Sequence, residues 1–243
     1  MGHGHTDQTL PDMPHGLRIY CIGDVHGRLD LLETVTQKIE RDLTRDTPDE
    51  ALIILLGDYI DRGLESCAVV DALAHHRLPS ASVCLRGNHE ALLEAFLDNP
   101  ATLENWRRVG GLETLASYGV DPRDAERGQG YAEARHALMH ALPAHHRRFL
   151  RGLHLSYDCG PYFFCHAGVR PGIALDQQSP HDLMWIREPF LSSTEDFGRI
   201  IIHGHTPVRA PEFHANRINL DTGAVKSGHL TCLVLEGQDQ RLL

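Results

Sequence analysis

Three short polar stretches in the first 90 residues each follow an apolar run. GDVHG contains Asp24 and His26, GDYIDRG contains Asp58, and RGNHE contains Asn88. Apolar runs that end in glycine-bearing polar loops are typical of buried strands, and ligands of open α/β sheets bind beyond the carboxyl ends of the strands. The carboxylate, imidazole and amide groups in these loops are therefore candidate metal ligands.

Two later stretches have the same arrangement. CHAG contains His166 and GHT contains His205, and each again follows a short apolar run. Mixed carboxylate and imidazole ligands suit Mn²⁺, Fe or Zn²⁺ rather than Ca²⁺, which prefers oxygen ligands. Six ligands are too many for one tetrahedral ion and fit two ions that share a bridge, for which Asp58 is the candidate. Paired divalent ions are a known device for phosphate chemistry.

Each stretch has a simpler interpretation when it is taken alone. An Asp-x-His sequence is commonly a turn, Asn88 could cap a helix by binding free backbone N–H groups, and a histidine before Ala-Gly could simply pack. His203 more simply ends a strand than binds a metal. Five such loops, each at the end of a predicted strand, favour a metal site over these separate interpretations.

The hydrophobic pattern predicts the elements that position these loops. Strands are predicted at residues 18–22, 52–56 and 82–85, and helices at residues 29–43, 65–75 and 90–97. This βαβαβ order predicts a parallel sheet with crossover helices, so the first three loops should converge on one rim.

The second half of the chain has a different pattern. Residues 98–150 are rich in helix formers, which predicts a mainly helical insertion, and short strands are predicted at residues 153–156, 162–165, 200–202, 217–220 and 230–235. Within the insertion, Trp106, Arg107 and Arg108 either contact substrate or belong to ordinary helix packing. We expect one domain at residues 17–243 after a flexible tail at residues 1–16.

Composition limits the functional classes. The 243 residues are 42% hydrophobic, enough for a substantial core, and the formal net charge of -10 argues against a nucleic-acid-binding surface. No apolar stretch is long enough to span a membrane and no signal peptide is visible, so we expect a cytoplasmic protein without a membrane partner. The six cysteines are expected to be free thiols, and histidine clusters such as His145-His146 are interpreted as having no role.

Taken together, GDVHG, GDYIDRG, RGNHE, CHAG and GHT resemble the phosphoprotein phosphatase family of metallophosphoesterases, over residues 23–206. The stretches HAGVRPG, DLMWIREPF and INLDTGAVKSGHLT are similar to small bacterial and bacteriophage serine/threonine protein phosphatases. The resemblance implies an α/β fold: a calcineurin-like four-layer α/β/β/α sandwich of two mixed sheets with a dinuclear metal site at one rim.

The resemblance also implies roles for the candidate ligands. Asp24 and His26 would hold the first metal, Asp58 would bridge both, and the second metal would be held by Asn88, His166 and His205. The implied cofactor is a pair of divalent ions, with Mn²⁺ favoured and Fe or Zn²⁺ possible. A water or hydroxide between the ions would attack phosphorus in line, because metal-bound water has a lowered pKa.

Four further residues acquire implied catalytic or substrate-binding roles. His89 would protonate the leaving oxygen. Asp61 would orient His89, and its nearby carboxylate would favour the protonated imidazole. Arg62 and Arg187 would grip the substrate phosphate, where Asn88 also lies, and Arg170 is the fallback for Arg187. The simpler interpretation of each arginine is a surface ion pair.

Departures from related families narrow the predicted activity. Many nucleases and cyclic-nucleotide phosphodiesterases read GHxH at the last motif, but here Pro207 follows Thr206 and cannot bind a metal. Bacterial diadenosine tetraphosphate hydrolases typically replace the second acid of GDxxDRG, whereas Asp61 is intact. The sequence therefore favours a serine/threonine protein phosphatase acting on phosphorylated protein or a small phosphorylated substrate, without an obligate regulatory subunit.

Two other functions stay open at this point. The first is a bis(5'-nucleosyl)-tetraphosphatase, since pocket shape decides the substrate. The second is a catalytically silent module that binds phosphoproteins, which would be expected to have lost His89, Asp61 or a ligand.

Overall fold

The computed structural model describes residues 13–243 and contains ten strands in two sheets. The strands are β1 Leu17–Ile22, β2 Glu50–Leu55, β3 Ala81–Cys84, β4 Ser156–Cys159, β5 Tyr162–Cys165, β6 Ile200–His203, β7 Glu212–Phe213, β8 Arg217–Asn219, β9 Cys232–Glu236 and β10 Asp239–Leu242. The helices are α1 Leu29–Arg45, α2 Ser66–Ala74, α3 Asn88–Asp98, α4 Leu103–Trp106, α5 Gly111–Ser117, α6 Arg123–Glu126, α7 Tyr131–Ala141, α8 Ala144–Arg151, α9 Pro180–Trp185 and α10 Ala224–Ser227.

Both sheets are mixed, as predicted. The first has the order β10-β9-β1-β2-β3, in which β1, β2 and β3 are parallel and β9 runs antiparallel to β1. The second has the order β4-β5-β6-β8-β7, in which β5, β6 and β8 are parallel. Six parallel strands therefore carry the loops that follow their carboxyl ends.

Alternation along the strands builds the four layers. Ile19 and Cys21 of β1 belong to the same core cluster as Phe164 and Ile202 of the second sheet, so these side chains fill the space between the sheets. The intervening Tyr20 packs in a different cluster with the helices of the first outer layer. Successive strand side chains point to opposite faces, which lets one strand serve both layers. The predicted α/β/β/α sandwich is confirmed.

The segment between α3 and β4 is helical and packs on the first sheet's helical layer. It contains α4 to α8, and Trp106, Leu115 and Leu138 from it are buried in the same cluster as the helices of that layer. The insertion is thus part of the main core rather than a separate body.

One predicted strand lies three residues later than expected. β4 begins at Ser156 because its antiparallel register with β5 pairs Ser156 with Cys165 around the turn at Gly160. Leu153 instead packs on the helical core, and His154 makes an isolated bridge to Leu85. Elements without a clear apolar period, namely β7, β10, α9 and α10, were not predicted.

Most of the predicted flexible tail at residues 1–16 lies outside the described part of the chain. Residues 1–12 lie outside the described residues, but Met13 is 4% exposed and its backbone N–H donates to the Gly237 carbonyl at 2.8 Å. The six cysteines form no disulfide within residues 13–243. No helix in this range is both long and apolar enough to cross a membrane.

Candidate active site

Loops at the carboxyl ends of the parallel strands converge on one rim and carry unusual backbone conformations. Non-glycine residues rarely adopt positive φ angles, and each such residue costs about 1–3 kcal/mol. Residues 13–243 contain six: His26, Asp58, Asp61, Arg62, His76 and His205. All but His76 lie in the predicted site, so backbone strain is concentrated where the candidate ligands meet.

Asp58 lies between two groups of histidines. Its Oδ2 is 3.5 Å from His26 Nε2, and its Oδ1 is 3.4 Å from His166 Nε2. The Oδ1 atom also accepts a hydrogen bond from the backbone N–H of His89 at 3.1 Å. The two oxygens thus face different histidines, so this carboxylate can contact an ion on either side.

Asn88 completes the second group. Its Oδ1 is 2.9 Å from both His166 Nε2 and His205 Nδ1. The helix cap of α3 is Gly87, so Asn88 does not act as the capping residue. Neighbouring ligands at about 2.0–2.1 Å from one ion lie roughly 2.8–3.4 Å apart, from octahedral to tetrahedral geometry. The three donor atoms are spaced as ligands of a single divalent ion would be.

The histidines are in the neutral state that metal binding needs. The Nδ1 atoms of His26 and His166 lie 2.9 Å from the backbone carbonyls of Ile60 and Leu56. Donation to these carbonyls leaves Nε2 with a free lone pair. Burial lowers the pKa of His26 and of His205 to about 3 and also lowers that of His166.

Buried carboxylates give the rim negative charge that no neighbouring cation within residues 13–243 fully neutralises. Asp24 Oδ2 accepts the backbone N–H of His205 at 3.0 Å, while its buried Oδ1 has no partner among the described residues. Burial and the charges of Asp221 and Asp58 raise the pKa of Asp24. Neutral imidazoles, an amide oxygen and mutually repelling carboxylates form a donor set that fits divalent cations.

Asp221 is a site residue that the sequence reasoning missed. It follows β8 as the other acids follow their strands, its Oδ2 is buried without a partner in the described chain, and burial raises its pKa. Its place directly after the strand predicted at residues 217–220 was the signal that could have identified it.

Two glycines in the motifs allow the carboxylates to approach the backbone. A Cβ added to Gly87 would lie 2.1 Å from Asp58 Oδ1, and one added to Gly204 would lie 2.0 Å from Asp24 Oδ1. Any larger residue at these positions would displace a candidate ligand.

His89 and Asp61 form a buried pair beside the metal ligands. His89 Nδ1 is 2.5 Å from Asp61 Oδ2, and Asp61 is fully buried. Burial alone would lower the pKa of His89, and Arg62 opposes its protonation. The charges of Asp58 and Asp61 and the hydrogen bond to Asp61 outweigh both and raise this pKa to about 9. The imidazole is therefore protonated at neutral pH.

The insertion holds Asp61 in place. Trp106 Nε1–H donates to Asp61 Oδ2 at 2.6 Å, and the Thr114 hydroxyl donates to Oδ1 at 2.5 Å. Arg107 and Arg108 both pair with Glu104 instead. Arg107 and Arg108 therefore agree with ordinary helix packing rather than with substrate contact. Trp106 does more than pack, since it positions a residue of the site, and Thr114 was not anticipated.

Glu90 ties two of the motifs together. Its carboxylate accepts the backbone N–H groups of Asp58, Tyr59 and Gly87 at 2.8–2.9 Å. Burial and the charge of Asp58 raise the pKa of Glu90 to about 7. The RGNHE loop thereby fixes the GDYIDRG loop.

The three candidate arginines occupy different surroundings. Arg62 is exposed, and its Nη1 and Nη2 lie 2.9 Å from His26 Nε2 and 3.1 Å from His89 Nε2. Arg187 is exposed, has no ion pair within residues 13–243, and lies close enough to His205 for its charge to lower that pKa. Arg170 binds Asp182 through two bonds of 2.9 and 2.5 Å, which engage its guanidinium.

Comparison with known proteins agrees with this geometry. A family model described as calcineurin-like phosphoesterase matches residues 17–230. The bis(5'-nucleosyl)-tetraphosphatase PrpE of Bacillus anthracis is 26% identical, over 87% of this chain and 88% of its own length, and the same holds for PrpE of Bacillus cereus.

Solved structures share the fold. A crystal structure named for a diadenosine tetraphosphatase has a TM-score of 0.64 at 18% identity, covering 98% of this chain and 94% of that one. The cold-active protein-tyrosine phosphatase of a psychrophilic Shewanella has a TM-score of 0.57 at 16% identity, covering 99% and 85%. At these identities the likeness concerns the architecture alone.

Proposed function

The chain belongs to the calcineurin-like phosphoesterase family, and we propose that it is a metal-dependent serine/threonine protein phosphatase. The observation that carries this proposal is the buried hydrogen bond between His89 and Asp61, 2.5 Å long and beside the candidate metal ligands.

A protonated histidine at this place suits an alkyl phosphomonoester. The alkoxide of serine or threonine is a strong base and leaves poorly unless it is protonated as the P–O bond breaks. A polyphosphate leaving group is a weak base and gains little from a proton donor. General acids contribute about 10²–10⁴-fold to rate, so a dedicated donor favours the alkyl ester.

The rim would hold two divalent ions. Asp24, His26 and Asp58 would bind the first, and Asp58 would share the second with Asn88, His166 and His205. We propose Mn²⁺, and Fe or Zn²⁺ would be accepted by the same donors. When bound, such ions neutralise phosphate charge and lower the pKa of a coordinated water.

The protein's own residues would orient the substrate and move the proton. With Nδ1–H held by Asp61, His89 would donate its Nε2–H to the leaving oxygen. Arg62 would turn its guanidinium to two phosphate oxygens, as a planar fork of N–H donors allows. We prefer Arg187 over Arg170 as the second phosphate-binding arginine because Arg170 is engaged by Asp182.

Asn88 would serve both metal and substrate. Its Oδ1 faces His166 and His205, so its amide N–H₂ group is left to donate to a phosphate oxygen.

A second candidate is bis(5'-nucleosyl)-tetraphosphatase activity. It is favoured by the PrpE relatives of that name, which align with 87% of this chain. The catalytic rim alone accommodates either substrate, since both present a phosphate to the same groups.

A direct comparison of substrates tests the proposal. Mn²⁺-loaded protein is given a phosphothreonine peptide and diadenosine tetraphosphate in parallel, and kcat/KM is measured for each. A higher kcat/KM for the peptide supports a protein phosphatase. A higher value for the dinucleotide overturns it in favour of the second candidate.

A further inference from the structure

A second group of potential metal ligands lies where α2 packs against α8. Asp71 of α2 and His75 at its end face His145 and His146 in the first turn of α8. Asp71 Oδ1 is 3.1 Å from His145 Nε2, 3.3 Å from His146 Nε2 and 3.3 Å from His75 Nδ1. Three imidazoles therefore converge on one carboxylate oxygen.

The distances from Asp71 Oδ1 to the nitrogens of His145 and His146 match those between two ligands of a tetrahedral zinc ion. Zinc ligands at about 2.0–2.1 Å from the ion lie roughly 3.3 Å apart in a tetrahedron. The ligand atoms of Asp71, His145 and His146 all lie within 4.8 Å of one another. Arg77 binds the other oxygen of Asp71 at 3.0 Å, so Oδ1 is the atom left for a cation.

His146 is held as a metal-binding histidine would be. Its side chain is 1% exposed, and burial lowers its pKa, so the ring is neutral. Its Nδ1 lies 2.9 Å from the Tyr118 hydroxyl. When Nδ1–H donates to that oxygen, Nε2 presents its lone pair towards Asp71. Such an outer hydrogen bond typically fixes the tautomer and orientation of a ligating histidine.

Hydrogen bonding alone explains the cluster less well. His75 Nδ1 also lies 2.9 Å from the Asp71 backbone carbonyl, whereas the Nε2 atoms of His145 and His146 share the single oxygen Asp71 Oδ1. A single divalent cation would accept both of these nitrogens and the carboxylate oxygen together. Access exists, because a surface pocket lined by Cys67, Asp71, Ser117 and His146 opens beside the cluster.

We propose that Asp71, His145 and His146 bind a zinc ion, with His75 or water as the fourth ligand. The ion is distinct from those of the catalytic rim. It joins helix α8 of the insertion to helix α2, which begins at Ser66. Since the Ser66 hydroxyl accepts the backbone N–H of Asp61 at 3.0 Å, the joined helices also support the residue that positions His89.

The test counts zinc ions bound by the full chain. Wild type, His145→Ala and His229→Ala are dialysed against chelator-buffered Zn²⁺, and bound zinc is measured by elemental analysis. His229 is an exposed histidine whose side chain has no hydrogen bond or ion pair within residues 13–243, so it controls for loss of any one imidazole. Histidines common to all three proteins, including His3 and His5, cancel in the differences.

We expect His145→Ala to bind one zinc fewer than wild type and His229→Ala to bind the same number as wild type. Equal counts in wild type and His145→Ala, or an equal loss in His229→Ala, would overturn the proposal. Asp71→Asn provides a second variant, and the unfolding midpoint of each protein in chelator shows that the fold is kept. The difference between variants does not depend on how many ions the catalytic rim holds.

Discussion

Replacement of Asp61 by asparagine tests the link between the buried pair and proton donation. Asparagine keeps the shape of the side chain and removes its charge. With a pKa of about 9, His89 is protonated at pH 7.5, whereas with the ordinary value of about 6.5 it would be mostly neutral. The Asp58 carboxylate is still present in the variant, so the pKa of His89 should fall only part of the way. One adjacent opposite charge typically changes a pKa by about 1–3 units.

The assay is the pH profile of kcat/KM on a phosphothreonine peptide. His89 acts while protonated, so its contribution is present below its pKa and is lost as pH rises through it. We expect Asp61→Asn to move the alkaline limb to lower pH by about 1 to 2 units. Asp176→Asn, a change at an exposed acid, is the matched control and should leave the limb in place. An unmoved limb in Asp61→Asn would refute the reasoning.

The same pair predicts how stability depends on pH in protein stripped of divalent ions. The folded-state pKa of His89 lies above its unfolded value, so the stabilisation is fully present below about pH 6.5 and is lost as pH rises through about 9. It amounts to at most about 3 kcal/mol. Urea unfolding between pH 6 and 10 should show this decline in wild type and a smaller one in Asp61→Asn. Identical declines would contradict it.

Three further substitutions separate the roles of neighbouring groups. His89→Asn should lower kcat/KM by about 10²–10⁴-fold on the phosphothreonine peptide. The loss should be far smaller on an aryl phosphate, because its phenolate leaves without a proton. Equal losses on the two substrates would rule out His89 as a proton donor. Trp106→Phe keeps an aromatic ring in the core but removes the N–H donor to Asp61, so kcat should fall about tenfold at constant KM. An unchanged kcat would exclude a positioning role. Gly204→Ala places a Cβ 2.0 Å from Asp24 Oδ1 and should reduce the content of divalent ions measured by elemental analysis; full metal content would show that Asp24 is not a ligand.

The strand-end loops were predictable because their signal is local. An apolar run followed by glycine and a polar residue identifies both the strand and the side chain at its end, as for Asp58 after β2. Asp221 directly follows the strand predicted at residues 217–220 but has no glycine before it, so its place at a strand end was the signal for it.

Contacts made across the chain were not predictable from spacing. Trp106 and Thr114 reach Asp61 only because the insertion packs against the first helical layer, and no periodicity reveals that contact. The pairing of Arg170 with Asp182 and the approach of His145 to Asp71 depend in the same way on tertiary packing.

The register of β4 was also outside the reach of local pattern. The residues from Leu153 to Ser156 alternate apolar and polar side chains as a strand does, but hairpin pairing with β5 sets the strand's start at Ser156. Cross-strand pairing overrides the intrinsic preference of so short a segment.

The most direct test of the account is an anomalous-scattering map of crystals grown with Mn²⁺. We expect two peaks at the rim, with the Asp58 carboxylate between them. One should lie among Asp24, His26 and Asp58, and the other among Asp58, Asn88, His166 and His205. A single peak at the rim, or no peak in contact with Asp58, would contradict a dinuclear centre.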